Sequence, residues 1–189
     1  MPALQNTFGA LFETVAGLYL MVAILRLLFQ SLRIDFHNPL VQIVVSITDP
    51  LLRPLRRIVP RLHRIDFAAA ALIWLVALVK LIVPLLLGGY NFNWIGALIY
   101  SFADSLDTAA WLLLFAVLVR VVLSWVAPNS HHPMARVIGG LSDPVMAPFQ
   151  RILPSFGGLD FSPILALMCL RLIQGVALSP LAEFGARML

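Results

Sequence analysis

The chain contains the same pattern twice. Shifted by 94 residues, the sequence aligns with itself without a gap from Glu13 on Asp107 to Ile82 on Val176. Between residues 26 and 67, most of the identical positions are Arg, Asp or Pro. These matched pairs are Arg26/Arg120, Pro39/Pro133, Asp49/Asp143, Pro50/Pro144, Pro54/Pro148, Arg57/Arg151, Pro60/Pro154 and Asp66/Asp160. The sequence therefore predicts a tandem duplication whose retained polar residues are the first candidates for function.

The composition is that of a membrane protein. Of 189 residues, 61% are hydrophobic and 12% are charged, about half the charged fraction of a soluble domain. Four stretches, 14–32, 67–87, 108–127 and 161–181, are long and apolar enough to cross a bilayer. We predict an all-α membrane protein with two parallel tandem repeats, each built as span, short helix, short helix, span.

The repeats and their orientation follow from the spans and from the basic residues. Repeat 1 is predicted over 13–90, an extracytoplasmic connection over 91–106, and repeat 2 over 107–184. The loops inside the repeats carry most of the arginines, whereas 88–105 and the segment before Glu13 carry no Lys or Arg. The positive-inside rule then places both loops in the cytoplasm and both termini outside. The first eight residues lack the basic start of a signal peptide, so we expect the first span to be retained.

Each loop inside a repeat is predicted to hold two short helices. Asn38-Pro39 begins the first in repeat 1, and Asp49-Pro50 begins the second, with the aspartate as helix cap and the proline at the first helical position. In this second helix, Leu51, Leu55 and Ile58 fall on one face and Arg53, Arg56 and Arg57 on the other. Such a helix is typical of an anionic membrane surface, although a re-entrant hairpin has the same pattern.

These motifs resemble a known family. The string Asn-Pro, Thr-Asp-Pro, Pro-Leu-Arg-Arg-Ile-Val-Pro and Ile-Asp-Phe over 38–67, with its second copy over 132–161, resembles the YggT family of small bacterial integral membrane proteins and its YlmG-type relatives. The resemblance covers essentially the whole chain. It implies a duplicated helical bundle in the bacterial inner membrane, and a link to osmotic stress tolerance or envelope organisation. It implies no particular biochemical activity.

The matched charges form a candidate polar network. Its members are Arg26, Asp49, Arg57, Asp66, Arg120, Asp143, Arg151 and Asp160. Arg26 lies about 9 Å from the inner end of its predicted span; it can reach the interface, or pair with Asp49 or Asp66. Arg120 has the same choice between Asp143 and Asp160. The aspartates also have a structural reading as helix caps, which we favour for Asp49 and Asp143. Arg57 and Arg151 suit either lipid phosphates or these acids.

Two further cations lie within the spans. Arg171 falls near the middle of the last span and Lys80 in the second, on similar helix faces of the two repeats. A cation at that depth needs water, carbonyl groups or a partner, and the sequence shows no acid at the depth of Arg171. Two interpretations are open. Arg171 snorkels or bonds within the bundle, or it is compensated by an anion, a water-filled crevice or a neighbouring subunit.

Other function classes find little support. His131-His132 has no accompanying Cys, Asp or Glu spacing for a zinc site, Cys169 is single, and no phosphate-binding loop or nucleophile motif occurs. We therefore expect no metal, no cofactor, no nucleic-acid partner and no enzyme. The predicted function is a non-enzymatic inner-membrane protein that contacts anionic lipids through Arg53, Arg56 and Arg57, and other membrane proteins or its own copies. The alternative is a small channel or transporter built from re-entrant hairpins.

Overall fold

The fold is a bundle of helices that pack in two sets, one per repeat. The computed structural model describes residues 2–59, 66–127, 132–152 and 160–189, and all regular secondary structure in these ranges is helical. Repeat 1 consists of α1 (Pro2–Ser31), α2 (Pro39–Ile58) and α3 (Phe67–Leu87). Repeat 2 consists of α4 (Trp94–Val126), α5 (Pro133–Ile152), α6 (Ser162–Ile173), a π-helical turn (Gln174–Leu178) and α7 (Ser179–Met188), the last three forming one continuous span.

Within the part of the chain that the structure describes, four helices are long and apolar enough to cross a membrane, which confirms the predicted all-α fold with four spans. They are Thr7–Ser31, Phe67–Leu87, Trp94–Val126 and Ser162–Met188. Their exposed faces carry large apolar side chains such as Leu18, Leu75 and Phe115. Because these side chains would be unfavourable in water, they match a lipid environment.

The segment between the spans differs from the predicted pair of short helices. In each repeat it is a single helix of 20 residues, with Pro50 and Pro54 inside α2 and Pro144 and Pro148 inside α5. An interior proline removes one backbone hydrogen bond and costs about 3 kcal/mol. The buried side chains of Thr48 and Leu52, on either side of Pro50, keep both parts of α2 on the same surface. Pro60 and Pro154, predicted to end these helices, lie outside the described residues.

The predicted connection over 91–106 is largely helical. Only residues 88–93 separate α3 from α4, because α4 begins at Trp94, where the side chain of Asn93 accepts a hydrogen bond from the N–H of Ile95. Polar residues in and after this segment make hydrogen bonds within the bundle. Ser105 and Thr108 donate to carbonyl groups one turn earlier, and Asp104 accepts from a lysine of α3.

The two repeats share a core at the end of the bundle that holds α2 and α5. This core combines Phe29, Ile34 and Val41 of repeat 1 with Ala116, Val137 and Leu141 of repeat 2. A hydrogen bond crosses the same boundary: the amide of Asn38 donates to the carbonyl oxygen of Pro133 at 2.8 Å, while its oxygen caps α2. The packing therefore fixes the two loop helices side by side.

Candidate functional site

Arg26 of α1 and Asp49 of α2 form an ion pair in repeat 1. Nη2 of Arg26 lies 3.5 Å from Oδ1 of Asp49, and Nη2 of Arg53 lies 3.2 Å from Oδ2 of the same carboxylate. The guanidinium carbon of Arg26 is also 5.2 Å from the centre of the Phe36 ring. One carboxylate thus ties the first span to the loop helix.

Repeat 2 contains the same pair in a more open setting. Nε of Arg120 lies 3.5 Å from Oδ1 of Asp143, at the positions that correspond to Arg26 and Asp49. The Arg120 side chain is 41% exposed and that of Asp143 57%, whereas the values for Arg26 and Asp49 are 8% and 21%. The duplication therefore supplies one closed and one open version of the same contact.

The predicted capping role of Asp49 and Asp143 is wrong. Both lie in the interior of a continuous helix, ten residues beyond its first residue. A capping side chain binds the free N–H groups of the first helical turn, and these positions lie well beyond that turn. The residues that cap these helices are Asn38, which accepts from the N–H of Leu40, and His132, whose Nδ1 accepts from the N–H of Met134. Asp49 and Asp143 instead face the arginines of the spans.

Asp66 and Asp160 hold the ends of α2 and α5 to the spans that follow. Oδ2 of Asp66 accepts from Nε and Nη2 of Arg56 at 3.1 and 2.6 Å, and Oδ1 accepts from the N–H of Ala69 as a helix cap. At the matching place in repeat 2, Nε2 of Gln150 donates to Asp160 at 3.1 Å. The duplication has kept this contact while replacing the arginine by a neutral donor.

The two acids differ in burial. Asp66 is 1% exposed, and the two hydrogen bonds from Arg56 help to offset the cost of burying its charge. Asp160 is exposed and lies before the last span. Ser162, whose N–H donates to Oδ1 at 2.8 Å, and Gln150, which donates to Oδ2, hold the pKa of Asp160 below its usual value.

The remaining arginines of the loop helices are exposed. Arg57 and Arg151 lie in the last turns of α2 and α5, where the helix dipole favours a positive charge. Arg53 is 76% exposed although it pairs with Asp49. Arg56, predicted to contact lipid with them, has its side chain 20% exposed and bound to Asp66.

Lys80 pairs with an acid that the sequence analysis assigned to a loop. Nζ of Lys80 lies 2.7 Å from Oδ2 of Asp104, and both side chains are largely buried. A cavity of about 250 Å³ beside the pair is also lined by Glu13 and Tyr100. This ion pair joins the two repeats, since Lys80 belongs to α3 and Asp104 to α4.

Arg171 lies in a second polar cluster. Its guanidinium carbon is 4.1 Å from the centre of the Trp111 ring, and Nη1 lies 3.5 Å from Oε1 of Gln174. Nε2 of Gln174 donates to Oδ1 of Asp107 at 2.9 Å. The cation is thus linked through the amide of Gln174 to Asp107, an acid of α4 that was not among the partners predicted for Arg171. Gln174 also begins the π-helical turn, a feature frequent at functional positions.

The repeat pattern carries a sequence signal for the acids of α4. Asp107 corresponds to Glu13, and Gln174 corresponds to Lys80, under the 94-residue shift. Each repeat therefore has an acid in its first span, Glu13 or Asp107, and a polar residue in its second span, Lys80 or Gln174. Asp104 lies three residues before Asp107, on the same side of a helix.

No metal site is evident in the described ranges. Among the residues of 2–59, 66–127, 132–152 and 160–189, no group of three or more His, Cys, Asp or Glu side chains is close enough together to hold an ion. His131, one of the paired histidines, lies outside these ranges. The polar groups that the structure brings together are therefore ion pairs and hydrogen bonds between helices.

Comparison with known proteins gives one consistent family. The CCB3/YggT family matches residues 5–87 and again residues 99–181, two matches separated by the same 94-residue shift. No solved structure matches the chain.

The relatives are similar over nearly their full lengths. The uncharacterized protein PA0392 of Pseudomonas aeruginosa is 40% identical over 172 residues, which cover 90% of this chain and 87% of the relative. The uncharacterized protein YggT of Escherichia coli is 36% identical over 175 residues, 92% of this chain and 90% of the relative. An uncharacterized protein of Haemophilus influenzae is 30% identical over 165 residues, 87% of this chain and 88% of the relative. With its two tandem family matches and these relatives, the chain belongs to the CCB3/YggT family.

Proposed function

We propose that this protein is a non-enzymatic organiser of the bacterial inner membrane. Its loop helices α2 and α5 would lie at the cytoplasmic interface and hold anionic lipid headgroups and neighbouring membrane proteins. The consequence for the cell would be better tolerance of osmotic stress. The observation that carries the proposal is the distribution of side chains around α2.

Helix α2 has three distinct faces. One packs on the bundle and contains the fully buried Val41, Thr48 and Leu52. A second is apolar and exposed, with Ile43, Ile47 and Leu51 between 45% and 54% exposed. The third is polar and exposed and carries Gln42, Arg53 and Arg57. A helix fixed to a membrane bundle with one apolar and one basic free face fits the boundary between hydrocarbon and headgroups.

An apolar groove supports the same placement. It has a volume of about 600 Å³ and lies between α1, α2 and α3, where Leu51, Pro54 and Leu55 of α2 form part of its wall. A lipid chain in this groove would place its headgroup near the basic face of α2. Arginine attracts anionic headgroups by about 1 kcal/mol per residue at a membrane surface.

The test compares anionic and zwitterionic lipid. Purified protein in non-ionic detergent is titrated with phosphatidylglycerol or phosphatidylcholine, and binding is followed by thermal shift and native mass spectrometry. The double variant Arg53→Gln/Arg57→Gln should bind phosphatidylglycerol about thirty-fold more weakly at low salt, because two such attractions are lost. Arg187→Gln, in a similarly exposed arginine of α7, is the matched control and should bind normally.

Two results would contradict this proposal. One is equal binding of phosphatidylglycerol by the double variant and the control. The other comes from cells that need the protein to grow at high osmolarity and from which the wild-type protein has been removed. Full restoration of their growth by the double variant would contradict the proposal. Arg56 is left unchanged in these experiments because it holds Asp66.

A channel or transporter is the second candidate. What supports it is the pair of polar clusters in the spans, Lys80 with Asp104 and Arg171 with Gln174 and Asp107. Charged groups at such positions often mark ion or proton paths. Reconstituted liposomes should then show ion or osmolyte flux that Arg171→Ala reduces. An absence of flux in the wild-type protein would remove this candidate.

A further inference from the structure

A cavity of about 260 Å³ opens beside the exposed ion pair of repeat 2. A water molecule occupies ~30 Å³ in the liquid, so the cavity has room for a group several times larger. Its wall consists of two arginines, one aspartate and three small residues, namely Arg120, Arg136, Asp143, Ala135, Gly139 and Gly140. The charged groups and the open space therefore lie together.

The space is open because α5 has a glycine, Gly139, on the surface that faces the ion pair. A Cβ atom placed on Gly139 would lie 3.5 Å from Oδ2 of Asp143 and 4.0 Å from the guanidinium carbon of Arg120. Gly139 thus faces the ion pair directly. Gly140 instead allows close packing, because its Cβ would lie 2.9 Å from Ile34.

Repeat 1 shows what the same place looks like with larger residues. The positions of Ala135, Gly139 and Gly140 correspond to Val41, Val45 and Ser46 under the 94-residue shift. Arg136 corresponds to the neutral Gln42. Repeat 2 therefore has more space around its Arg–Asp pair and has Arg136 in the wall of that space, whereas the second cation of repeat 1 is Arg53, which is bound to Asp49.

We propose that this cavity binds a phosphodiester whose headgroup also carries an ammonium group, as in phosphatidylethanolamine. Two guanidinium groups give the fork-shaped donors that phosphate oxygens prefer. The carboxylate of Asp143 would accept a hydrogen bond from the ammonium group of the same ligand. A site with two cations and one anion is complementary to a phosphate joined to a donor group.

The cavity extends the lipid contact of the proposed function, and rests on it in placing α5 at the membrane interface. None of its residues belongs to α2, so the two sites fail separately. Loss of phosphatidylglycerol binding in Arg53→Gln/Arg57→Gln reports on the α2 surface. Loss of ethanolamine-headgroup binding in variants of α5 reports on the cavity.

The experiment uses the full-length protein in detergent and two variants that copy repeat 1. Arg136→Gln removes the second cation. Gly139→Val places a Cβ at an ordinary contact distance of 3.5 Å from Asp143 and two further methyl groups in the space, without changing any charge. The probes are short-chain phosphatidylethanolamine, short-chain phosphatidylcholine and the soluble glycerophosphoethanolamine. Dissociation constants are measured by thermal shift and bound ligand is counted by native mass spectrometry.

We expect the ethanolamine lipid to bind the wild-type protein, and both variants to bind it at least ten-fold more weakly, because a charge-assisted hydrogen bond or its space is lost. The choline lipid should bind the wild-type protein more weakly than the ethanolamine lipid does, since choline has no hydrogen-bond donor for Asp143. Arg187→Gln should bind like the wild type. Binding of glycerophosphoethanolamine with equal affinity would identify a soluble phosphodiester as a source, and binding of the lipid alone would identify the membrane.

Three outcomes overturn the inference. They are no binding of any probe by the wild-type protein, wild-type affinity in both Arg136→Gln and Gly139→Val, and equal affinity for ethanolamine and choline lipids. Circular dichroism and melting temperature confirm that each variant is folded. Arg136 is exposed, so its replacement leaves the packing of the bundle intact.

Discussion

Asp66 shows how the two repeats use one contact in two chemical forms. Its buried carboxylate is bound by the guanidinium of Arg56, whereas the corresponding Asp160 is exposed and is bound by the amide of Gln150. A buried carboxylate needs a charged partner, and an exposed one needs only a hydrogen-bond donor. The partner therefore follows the burial of the acid.

We predict that Arg56→Ala destabilises the protein by about 3 kcal/mol, because it removes two charge-assisted hydrogen bonds from the buried carboxylate of Asp66. Arg56→Gln should cost clearly less, since glutamine makes the same contact with Asp160 in repeat 2. The measurement is the free energy of unfolding in mixed micelles. Equal losses for the two variants would show that the hydrogen bond to Asp66 is unimportant.

The ion pair between Lys80 and Asp104 offers a second comparison at this scale. We predict that Lys80→Met and Asp104→Leu each cost about 3 kcal/mol, because each leaves one charge in a largely buried position. The double variant should lose about 1 kcal/mol or less, since two apolar side chains can pack in the same place. A double variant as unstable as the sum of the single variants would contradict this account, and urea or SDS unfolding provides the measurement.

Part of this residue-level detail was within reach of the sequence. The 94-residue shift identifies Arg26 and Asp49 as positions kept in both repeats, but it leaves Asp66 as an equally good partner for Arg26. The choice depends on where α2 lies against α1, which is a tertiary contact. The partner of Lys80 was missed for the same reason, because Asp104 is close to it only when α4 begins at Trp94.

At the scale of helices, α4 and α7 approach each other closely at two glycines, Gly96 and Gly185. A Cβ atom on Gly96 would lie 2.8 Å from the carbonyl oxygen of Gly185, and one on Gly185 would lie 2.6 Å from the backbone nitrogen of Tyr100. Only glycine fits at these two positions. Small residues let helices in membranes approach closely and gain van der Waals contact.

We predict that Gly185→Ala destabilises the protein by about 1–3 kcal/mol, because the added methyl group forces α7 away from α4. Gly17→Ala is the matched control in another span. No neighbouring atom lies within 4 Å of the methyl group it adds, so the higher helix propensity of alanine should stabilise it by up to about 1 kcal/mol. Melting temperatures of the two purified variants should move in opposite directions, and a shift of both in the same direction would contradict the prediction.

The membrane-spanning helices could largely be predicted from the sequence, but the residues at which the helices begin and end could not. Spans are set by the length of apolar sequence, which is visible without a structure. The continuity of α2 across Pro50 and the early start of α4 depend on tertiary contacts. Buried side chains offset the proline, and cross-helix partners such as Lys80 satisfy the polar residues of α4.

On the scale of the whole molecule, the two repeats form one body. They share the core around Val41 and Leu141 and the hydrogen bond from Asn38 to Pro133. The ion pair between Lys80 and Asp104 joins α3 to α4. Because these contacts occur toward both ends of the spans, neither repeat can move far without disturbing the other.

Four spans place the termini on the same side of the membrane, and we predict that this side is extracytoplasmic. In a Cys169→Ser background, a cysteine introduced at Tyr90 should react with a membrane-impermeant reagent added outside the inner membrane. A cysteine introduced at Phe36 should react only after the membrane is opened. The reverse labelling pattern would invert the orientation and move the arginines of α2 away from the anionic cytoplasmic surface.

The length of α4 has a mechanical consequence. Its 33 residues extend over about 50 Å, and exposed apolar side chains occur along it from Trp94 to Trp125. A hydrocarbon layer ~30 Å thick cannot cover such a rod standing upright, so the rod must lean or the surrounding lipid must stretch to meet it. The tilt of α4 is then coupled to membrane thickness, and we expect a thinner bilayer to favour a more tilted α4.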